Sequence, residues 1–287
     1  MPTMKAIKGR IKSVKSTQQI TKAMNLVATS KLSRSREKLK KERLYSEQMR
    51  LIMTRIAQER DFTTMHPYFA KSSGGNSLIV LITADRGLCG GYNTNACRAC
   101  NEIVAKSDKV EFICIGGKGR EYYARRKQTI LKTFTGISET PFVSDAQEIA
   151  EMLLGAYSTG KYDNVYLVYT HFHTVVSYEP KYMQLLPLDA SELPEYPNDI
   201  AAEQMSFEPN GAELVEFAVQ SYIEAVIFNA LCESAASQLA SKMVSMETAT
   251  ENAEKMISSL ALTYNRARQA RITQELTEIV AGANALT

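Results

Sequence analysis

The sequence predicts an α/β domain set between two long helices. Three observations carry that expectation: where glycine and proline fall, where short apolar runs fall, and how charge divides along the chain. Of the 14 Gly and 8 Pro in 287 residues, 19 lie between Pro67 and Gly211, so that Arg10–His66 and Ala212–Ala281 hold none. Glycine and proline are the main interrupters of helices. Runs of 57 and 70 residues without either far exceed the mean globular helix of about 11–12 residues. The chain thus divides into 1–66, 67–211 and 212–287.

Helical periodicity supports the outer two segments. In the C-terminal run a three-four alternation picks out Met246, Ala249, Ala253, Met256, Leu260, Thr263, Ala267 and Ala270, a heptad seam of small residues suited to close packing. In the N-terminal run it picks out Ile7, Ile11, Val14, Gln18, Thr21, Asn25, Ala28, Leu32, Ser35 and Leu39, polar through its middle. A seam this polar binds weakly by burial alone, which suggests helices that pair with each other and also face something outside. Because they stand at opposite ends of one chain, joined through a folded middle, the simplest arrangement is an antiparallel coiled coil. Two or three ordinary helices with unmarked breaks remain an alternative for each run.

Charge divides the same way. The total is only +3, but residues 1–66 hold 16 Lys+Arg against 5 Asp+Glu, a net +11, while 67–211 and 212–287 each carry a net −4. Lys5, Lys8, Lys12 and Lys15 fall at helical spacing, and Lys31, Arg34, Arg36, Lys38, Lys40, Lys41 and Arg43 follow. A surface of this kind calls for an acidic partner: phosphates, anionic lipid or protein carboxylates. With 45% hydrophobic and 23% charged residues, the composition excludes wholesale disorder, collagen and a transmembrane bundle. The five cysteines are odd in number and follow no apolar leader, so they are expected as reduced thiols. The longest unbroken apolar stretch, near Leu78–Ile82, falls far short of a bilayer span, so any membrane association is expected through a partner.

In the middle segment, Ser77–Thr83, Val110–Ile115 and Asp163–Thr170 read as strands, with Thr174–Leu188 adding one more. Helical stretches lie near Asn93–Lys106, Gly119–Arg126 and Asp145–Tyr157, and Leu188–Asn210 reads as a loop. Alternation of this kind implies a Rossmann-like domain with a mostly parallel sheet covered by helices. Thr83–Gly91 (TADRGLCGG) sits where a strand hands over to a helix, the usual ligand position in doubly wound sheets. Gly116–Arg120 (GGKGR) superficially resembles a phosphate cradle. Neither satisfies GxxxxGK[ST] or GxGxxG, so tight turns are the favoured reading.

Catalytic candidates fare worse. His171 and His173 share a strand face without a third ligand and read as surface histidines rather than a zinc site. Cys97 and Cys100 have redox spacing but fall within a helix rather than at its start. No catalytic residue, metal ligand or cofactor site is expected.

Three sequence blocks, in order, resemble the gamma-subunit family of F-type ATP synthases: IKSVKSTQQITKAM over Ile11–Met24, DRGLCGGYN over Asp85–Asn93, and LTYNRARQARITQEL over Leu262–Leu276 with EIVAGA behind it at Glu278–Ala283. The resemblance covers nearly the whole chain. It implies a central rotor stalk whose terminal helices form an antiparallel coiled coil inside a ring of three alpha and three beta subunits. The α/β domain would then be a foot joining the epsilon subunit and the c-subunit ring. Ion flow would turn the shaft and drive the catalytic beta sites in sequence, with ATP bound on alpha and beta. The chain itself would be non-catalytic and peripheral to the membrane.

By the same resemblance, Arg268 and Gln269 match positions that bind a loop of one beta subunit, the catch, with Arg266, Thr273 and Glu275 close by. Guanidinium suits a carboxylate-bearing loop because it can bind as a fork. Met24 matches a position where rotor and beta ring meet. With Lys22, Lys31, Arg34 and Arg36 it belongs to the basic helix expected to face an acidic segment of beta, while Asp85, Arg86 and Gly87 form the motif loop. The stretch Ile279–Leu286 is apolar, as suits an axle tip in a hydrophobic collar. Lys242-Met243 stands where the family has Arg-Met, and Gln238 where an acid is common; lysine cannot reproduce a fork-like contact. No long insertion with a paired-cysteine motif is present, which favours a bacterial subunit on the cytoplasmic face of the plasma membrane over a light-regulated plastid form. Two competing readings are a nucleic-acid-binding coiled coil, from the +11 segment, and a small-molecule enzyme built on the α/β domain.

Overall fold

The apolar run Leu78–Ile82 is wholly buried and forms the middle of a sheet. Burial on both faces is what a near-continuous apolar strand requires, and a parallel sheet covered by helices supplies it. The computed structural model describes residues 3–58, 67–69, 75–189 and 211–284. The sheet comprises β1 (Asn76–Ile82), β2 (Lys109–Ile115), β3 (Thr129–Phe134), β4 (Asn164–Phe172) and β5 (Tyr178–Leu186), in the order β3-β2-β1-β4-β5. β1 runs parallel to β2 and β4, and β2 parallel to β3. β5 returns antiparallel along β4 through a tight turn closed by Thr174 and Ser177. The crossovers are α2 (Tyr92–Val104), α3 (Gly117–Ala124) and α4 (Val143–Ser158).

β3 is absent from the expected strands. It is an edge strand whose residues alternate between exposed and half-buried, with Lys132 in the middle, so it lacks the apolar run that marks its neighbours. All but the first two residues of the expected loop Leu188–Asn210 lie outside the described residues, as do Ala285 and Leu286 of the apolar tip.

The two glycine-free and proline-free runs carry long helices, α1 (Met4–Gln58) and α5 (Gly211–Asn284), 55 and 74 residues long. Among the described residues no break divides either, which removes the alternative of several shorter helices there. The chain forms two compact units whose boundaries fall within these helices: Met1–Ala28 with Lys242–Thr287, and Thr29–Ser241.

In the first unit, Thr21 Oγ1 and Thr250 Oγ1 share a hydrogen bond of 2.7 Å, and Asn25 Nδ2 donates to the Met243 carbonyl at 2.9 Å. Moving forward along α1 therefore moves backward along α5, so the pair is antiparallel. The polar middle of the α1 seam supplies these bonds in place of apolar knobs. Ile7, Ile11, Val14, Gln18, Thr21, Asn25 and Ala28 are all buried or half-buried, as the periodicity predicts. The α5 seam needs correction. Met246 and Ala253 are buried and Ala249, Leu260 and Ala267 half-buried, but Met256, Thr263 and Ala270 are exposed. Ile257 and Tyr264 turn inward instead. The three-four alternation is retained with its phase shifted by one residue, which trades a threonine and a flexible methionine for larger, stiffer apolar surface.

In the second unit, α5 is buried almost without interruption from Ala225 to Ser241. A helix that is apolar on every side belongs inside a core. α5 also holds an 18-residue window of mean hydropathy 1.3, which is apolar enough to span a bilayer by composition, and 61% of that window is buried inside the protein. A count of unbroken apolar residues misses this window because polar residues interrupt it.

Candidate partner-binding surfaces

The position where a doubly wound sheet binds ligand is occupied by the protein's own helix. Strand order reverses between β1 and β4, and the crevice beyond their carboxyl ends is where a nucleotide would sit. Here α5 supplies three buried serines. Ser234 Oγ accepts the Thr170 N–H at 3.1 Å, Ser237 Oγ donates to the Thr170 carbonyl at 3.2 Å, and Ser241 Oγ donates to the Cys89 carbonyl at 2.6 Å. The glycine-rich turn at Gly116 is similarly committed. Gly116 has φ +90°, and a Cβ there would stand 2.2 Å from the Thr83 carbonyl oxygen. The first amides of α3 are spent inside the fold: Lys118 N–H on the Ala84 carbonyl and Gly119 N–H on Thr83 Oγ1. These donors have no capacity left for a phosphate, so the turn is structural, as expected.

The motif loop divides. Asp85 is half-buried, and its Oδ2 accepts from Ser138 Oγ at 2.7 Å and from the Gly136 amide at 3.0 Å, tying the β1–α2 loop to the β3–α4 loop. Arg86 and Gly87 face solvent beside Leu88, which sits at φ 66° and is 64% exposed. Cys97 and Cys100 lie in the middle of α2 in the sheet core, and burial pushes their thiols up to about 11 and about 12. Protonated thiols of this kind are inert. His171 departs from the expectation of a surface residue. It is half-buried, with Nδ1 on the carboxylate of Glu233 and its ring edge-on to His173 at 4.5 Å. Among the described residues no cluster of three or more His, Cys, Asp or Glu is placed to hold a metal.

The C-terminal candidates share one stretch of α5. Arg266, Arg268, Gln269, Thr273 and Glu275 are all exposed, and every residue from Arg268 to Ala281 is exposed as well. The antiparallel register explains this: with Thr21 beside Thr250, the start of α1 at Met4 falls near residue 267 of α5, and α5 runs on alone. Within this stretch Arg271 Nε bonds Glu275 at 2.8 Å and Thr273 Oγ1 donates back to the Gln269 carbonyl, leaving the guanidinium groups of Arg266 and Arg268 in solvent. Ile272, Leu276, Ile279 and Val280 place an apolar stripe on the same exposed stretch.

The basic helix is used in two ways. Lys22 is exposed and Met24 half-buried, and Arg34 and Arg36 face solvent. Lys31 instead reaches Glu139 at 2.7 Å. Further on, Lys38 donates to the Pro141 carbonyl and lies 4.8 Å from the Phe228 ring centre, and Arg43 binds Glu233 and the Phe172 carbonyl. Part of the positive charge therefore fastens α1 to the α/β domain, a role that the charge count alone does not reveal. The readable signal was Glu233, the only charged residue between Ala225 and Ser241. Gln238 is buried and donates to Glu139 at 3.4 Å.

A family model described as ATP synthase matches residues 3–286. The gamma chain of Alkaliphilus metalliredigens is 42% identical over 286 residues, covering 99% of this chain and 98% of that one. The gamma chain of Desulfitobacterium hafniense is 39% identical over 287 residues, with both chains covered in full. Among solved structures, a chain from the central stalk and c-ring of the Tetrahymena thermophila mitochondrial ATP synthase superposes with TM-score 0.64 at 25% identity, covering 80% of this chain and 99% of its own. A chain of the Euglena gracilis mitochondrial enzyme gives TM-score 0.68 at 20% identity over 99% and 94% of the two chains, a likeness of fold. Full-length identity of this order, together with the antiparallel helix pair and the plugged α/β domain, establishes that the chain belongs to the ATP synthase gamma-chain family.

Proposed function

We propose that the chain is the central rotor stalk of an F-type ATP synthase. It couples ion-driven rotation of a c-subunit ring to ATP synthesis in an alpha3beta3 head, and itself performs no catalysis. One observation carries this reading: α5 continues past the end of its partner helix as an exposed segment bearing Arg266, Arg268, Gln269, Thr273 and Glu275. Exposed guanidinium groups beside an apolar stripe on one helix are the marks of a surface that receives a partner.

On this reading Arg268 and Gln269 engage the catch loop of one beta subunit, and Arg266, Thr273 and Glu275 support them. Met24, Lys22, Arg34 and Arg36 face beta across the basic side of α1, with Lys31 shared between that face and Glu139. Asp85 holds the motif loop in shape so that Arg86 and Gly87 are presented outward. The functional division is 1–66 and 212–287 for the shaft and 67–211 for the foot, which meets epsilon and the c ring. The complex is membrane-associated, and similarity to the Desulfitobacterium and Alkaliphilus chains supports a place on the cytoplasmic face of a bacterial plasma membrane.

Affinity purification of the tagged chain from native membranes tests the reading. Alpha and beta are expected at three copies each per tagged chain, and recovery of a free monomer under gentle conditions overturns it. Replacing Arg268 and Gln269 together by alanine should lower coupled synthesis or recovery of alpha and beta roughly five-fold or more, the effect of losing a contact worth about 1 kcal/mol or more. Nucleotide binding by beta should be unchanged.

A further inference from the structure

We propose that Glu233 is the positioning residue through which torque passes between the α/β domain and the two long helices, held there by Arg43 and His171. The proposal rests on the rotor reading and names the point in the chain where that rotor is fastened.

Glu233 stands alone as a charge among the apolar and small residues of Ala225–Ser241, and its side chain is 3% exposed. Burying a carboxylate is costly, and a well-packed apolar residue of similar volume often serves stability as well or better. What the carboxylate adds is direction. Arg43 of α1 approaches Oε1 through both Nε at 3.1 Å and Nη2 at 3.0 Å. The same Nη2 donates to the carbonyl of Phe172, at the end of β4, at 2.6 Å. His171 of β4 meets Oε2 through Nδ1. One carboxylate thus joins three elements: α5 that bears it, α1 through the guanidinium, and the sheet through the imidazole and the shared Phe172 carbonyl.

Apolar packing resists separation but is non-directional, and helices in apolar contact can slide or turn against a sheet. Charge-assisted hydrogen bonds from two sides of one carboxylate oppose both movements. The other ties between α1, α5 and the α/β domain include Lys38 on the Pro141 carbonyl and Ser234 and Ser237 on Thr170, none of which is a carboxylate bonded from two sides. Lys31 to Glu139 is a partly exposed pair, with side chains 46% and 24% exposed, and Gln238 reaches the same Glu139 at 3.4 Å. Exposed pairs contribute little. The sheet lies within Thr29–Ser241 together with the segments of α1 and α5 that meet it, and Glu233 is a buried point of attachment there shared by both helices and the sheet.

The test uses the whole complex, carrying Glu233→Gln or Arg43→Lys, in sealed vesicles and as the detached soluble head. Gln keeps the shape of Glu but loses its charge; Lys keeps the charge of Arg but loses the fork that holds Glu233 and Phe172 together. ATP synthesis driven by an imposed ion gradient is compared with ATP hydrolysis by the detached head, where the shaft turns without load from the ring. With alpha and beta still recovered, both variants should lower synthesis relative to head hydrolysis by roughly 2- to 30-fold, the range for mutations within a coupling network. A double-mutant cycle with both changes should be non-additive. An unchanged ratio, or an equal fall in both activities, overturns the proposal. If Glu233→Gln prevents assembly, Arg43→Lys decides alone by the same ratio. Failure of the unsubstituted chain to bring down alpha and beta would instead overturn the rotor reading.

Discussion

Glu111 is the clearest case of a single residue whose charge belongs to the fold. It sits on β2, 5% exposed, and accepts from Lys161 Nζ at 2.7 Å and Tyr162 Oη at 2.6 Å, with Lys109 Nζ at 3.6 Å. Burial alone would raise its pKa. The hydrogen bonds from Lys161 and Tyr162 and the charges of Lys161 and Lys109 outweigh that, so the carboxyl is held below its ordinary 4.5. A carboxyl with a depressed folded-state pKa contributes stability above its unfolded value and loses that contribution as pH falls through the lower folded value. Glu111→Gln should therefore cost about 2 kcal/mol at neutral pH, the worth of hydrogen bonds to a charged acceptor. In thermal melts the gap between the two proteins should close below pH 4.5, and a gap that persists into acid would show that packing, not charge, is responsible. Glu233 differs in that its partners lie on α1 and β4, so that it joins both long helices to the sheet, and its role concerns alignment rather than the stability of one strand.

Elements were unequally legible in the sequence, and the reasons are physical. α1 and α5 were readable because Gly and Pro are absent from all but their ends and a 3.6-residue period runs through them. β1, β2 and β4 were readable as apolar runs because a central parallel strand buries both faces. β3, an edge strand, buries little and left no such mark. The α5 seam was read one residue out of phase at Met256 and Thr263 because small residues mark two adjacent helical stripes equally well, and only the partner helix decides between them. Arg268 and Gln269 were proposed for the catch through family resemblance, whereas the Arg43–Glu233–His171 cluster could be assembled only in three dimensions. The seam assignment is testable by hydrogen exchange. Ile257→Ala and Tyr264→Ala should each lower amide protection across Met246–Tyr264 by an amount consistent with losing about 1–3 kcal/mol of buried contact. Met256→Ala, on an exposed methionine, should leave protection nearly unchanged, and equal effects at positions 256 and 257 would refute the assigned phase.

At the scale of the whole molecule the distribution of charge is more informative than its sum. A net charge of +3 says nothing about partners, yet residues 1–66 carry +11, and Lys5, Lys8, Lys12, Lys15 and Lys22 are all exposed. Lys31, Lys38 and Arg43 are engaged with the α/β domain, whereas the lysines at the start of α1 face solvent. Exposed charge of one sign acts chiefly on the rate of encounter with an oppositely charged surface, and the effect weakens as salt shortens the screening length from about 10 Å at 0.1 M to about 3 Å at 1 M. Replacing Lys5, Lys8, Lys12 and Lys15 together by glutamine should slow association with isolated alpha3beta3 roughly ten-fold or more at low salt, the scale of electrostatic steering. The four side chains are exposed and form no ion pair among the described residues, so the melting temperature should be unchanged. At high salt the association rates of the two proteins should converge, because only the unsubstituted chain has attraction to lose. A rate difference independent of salt would mean that the lysines act by direct contact within the assembled ring, and that steering contributes nothing to assembly.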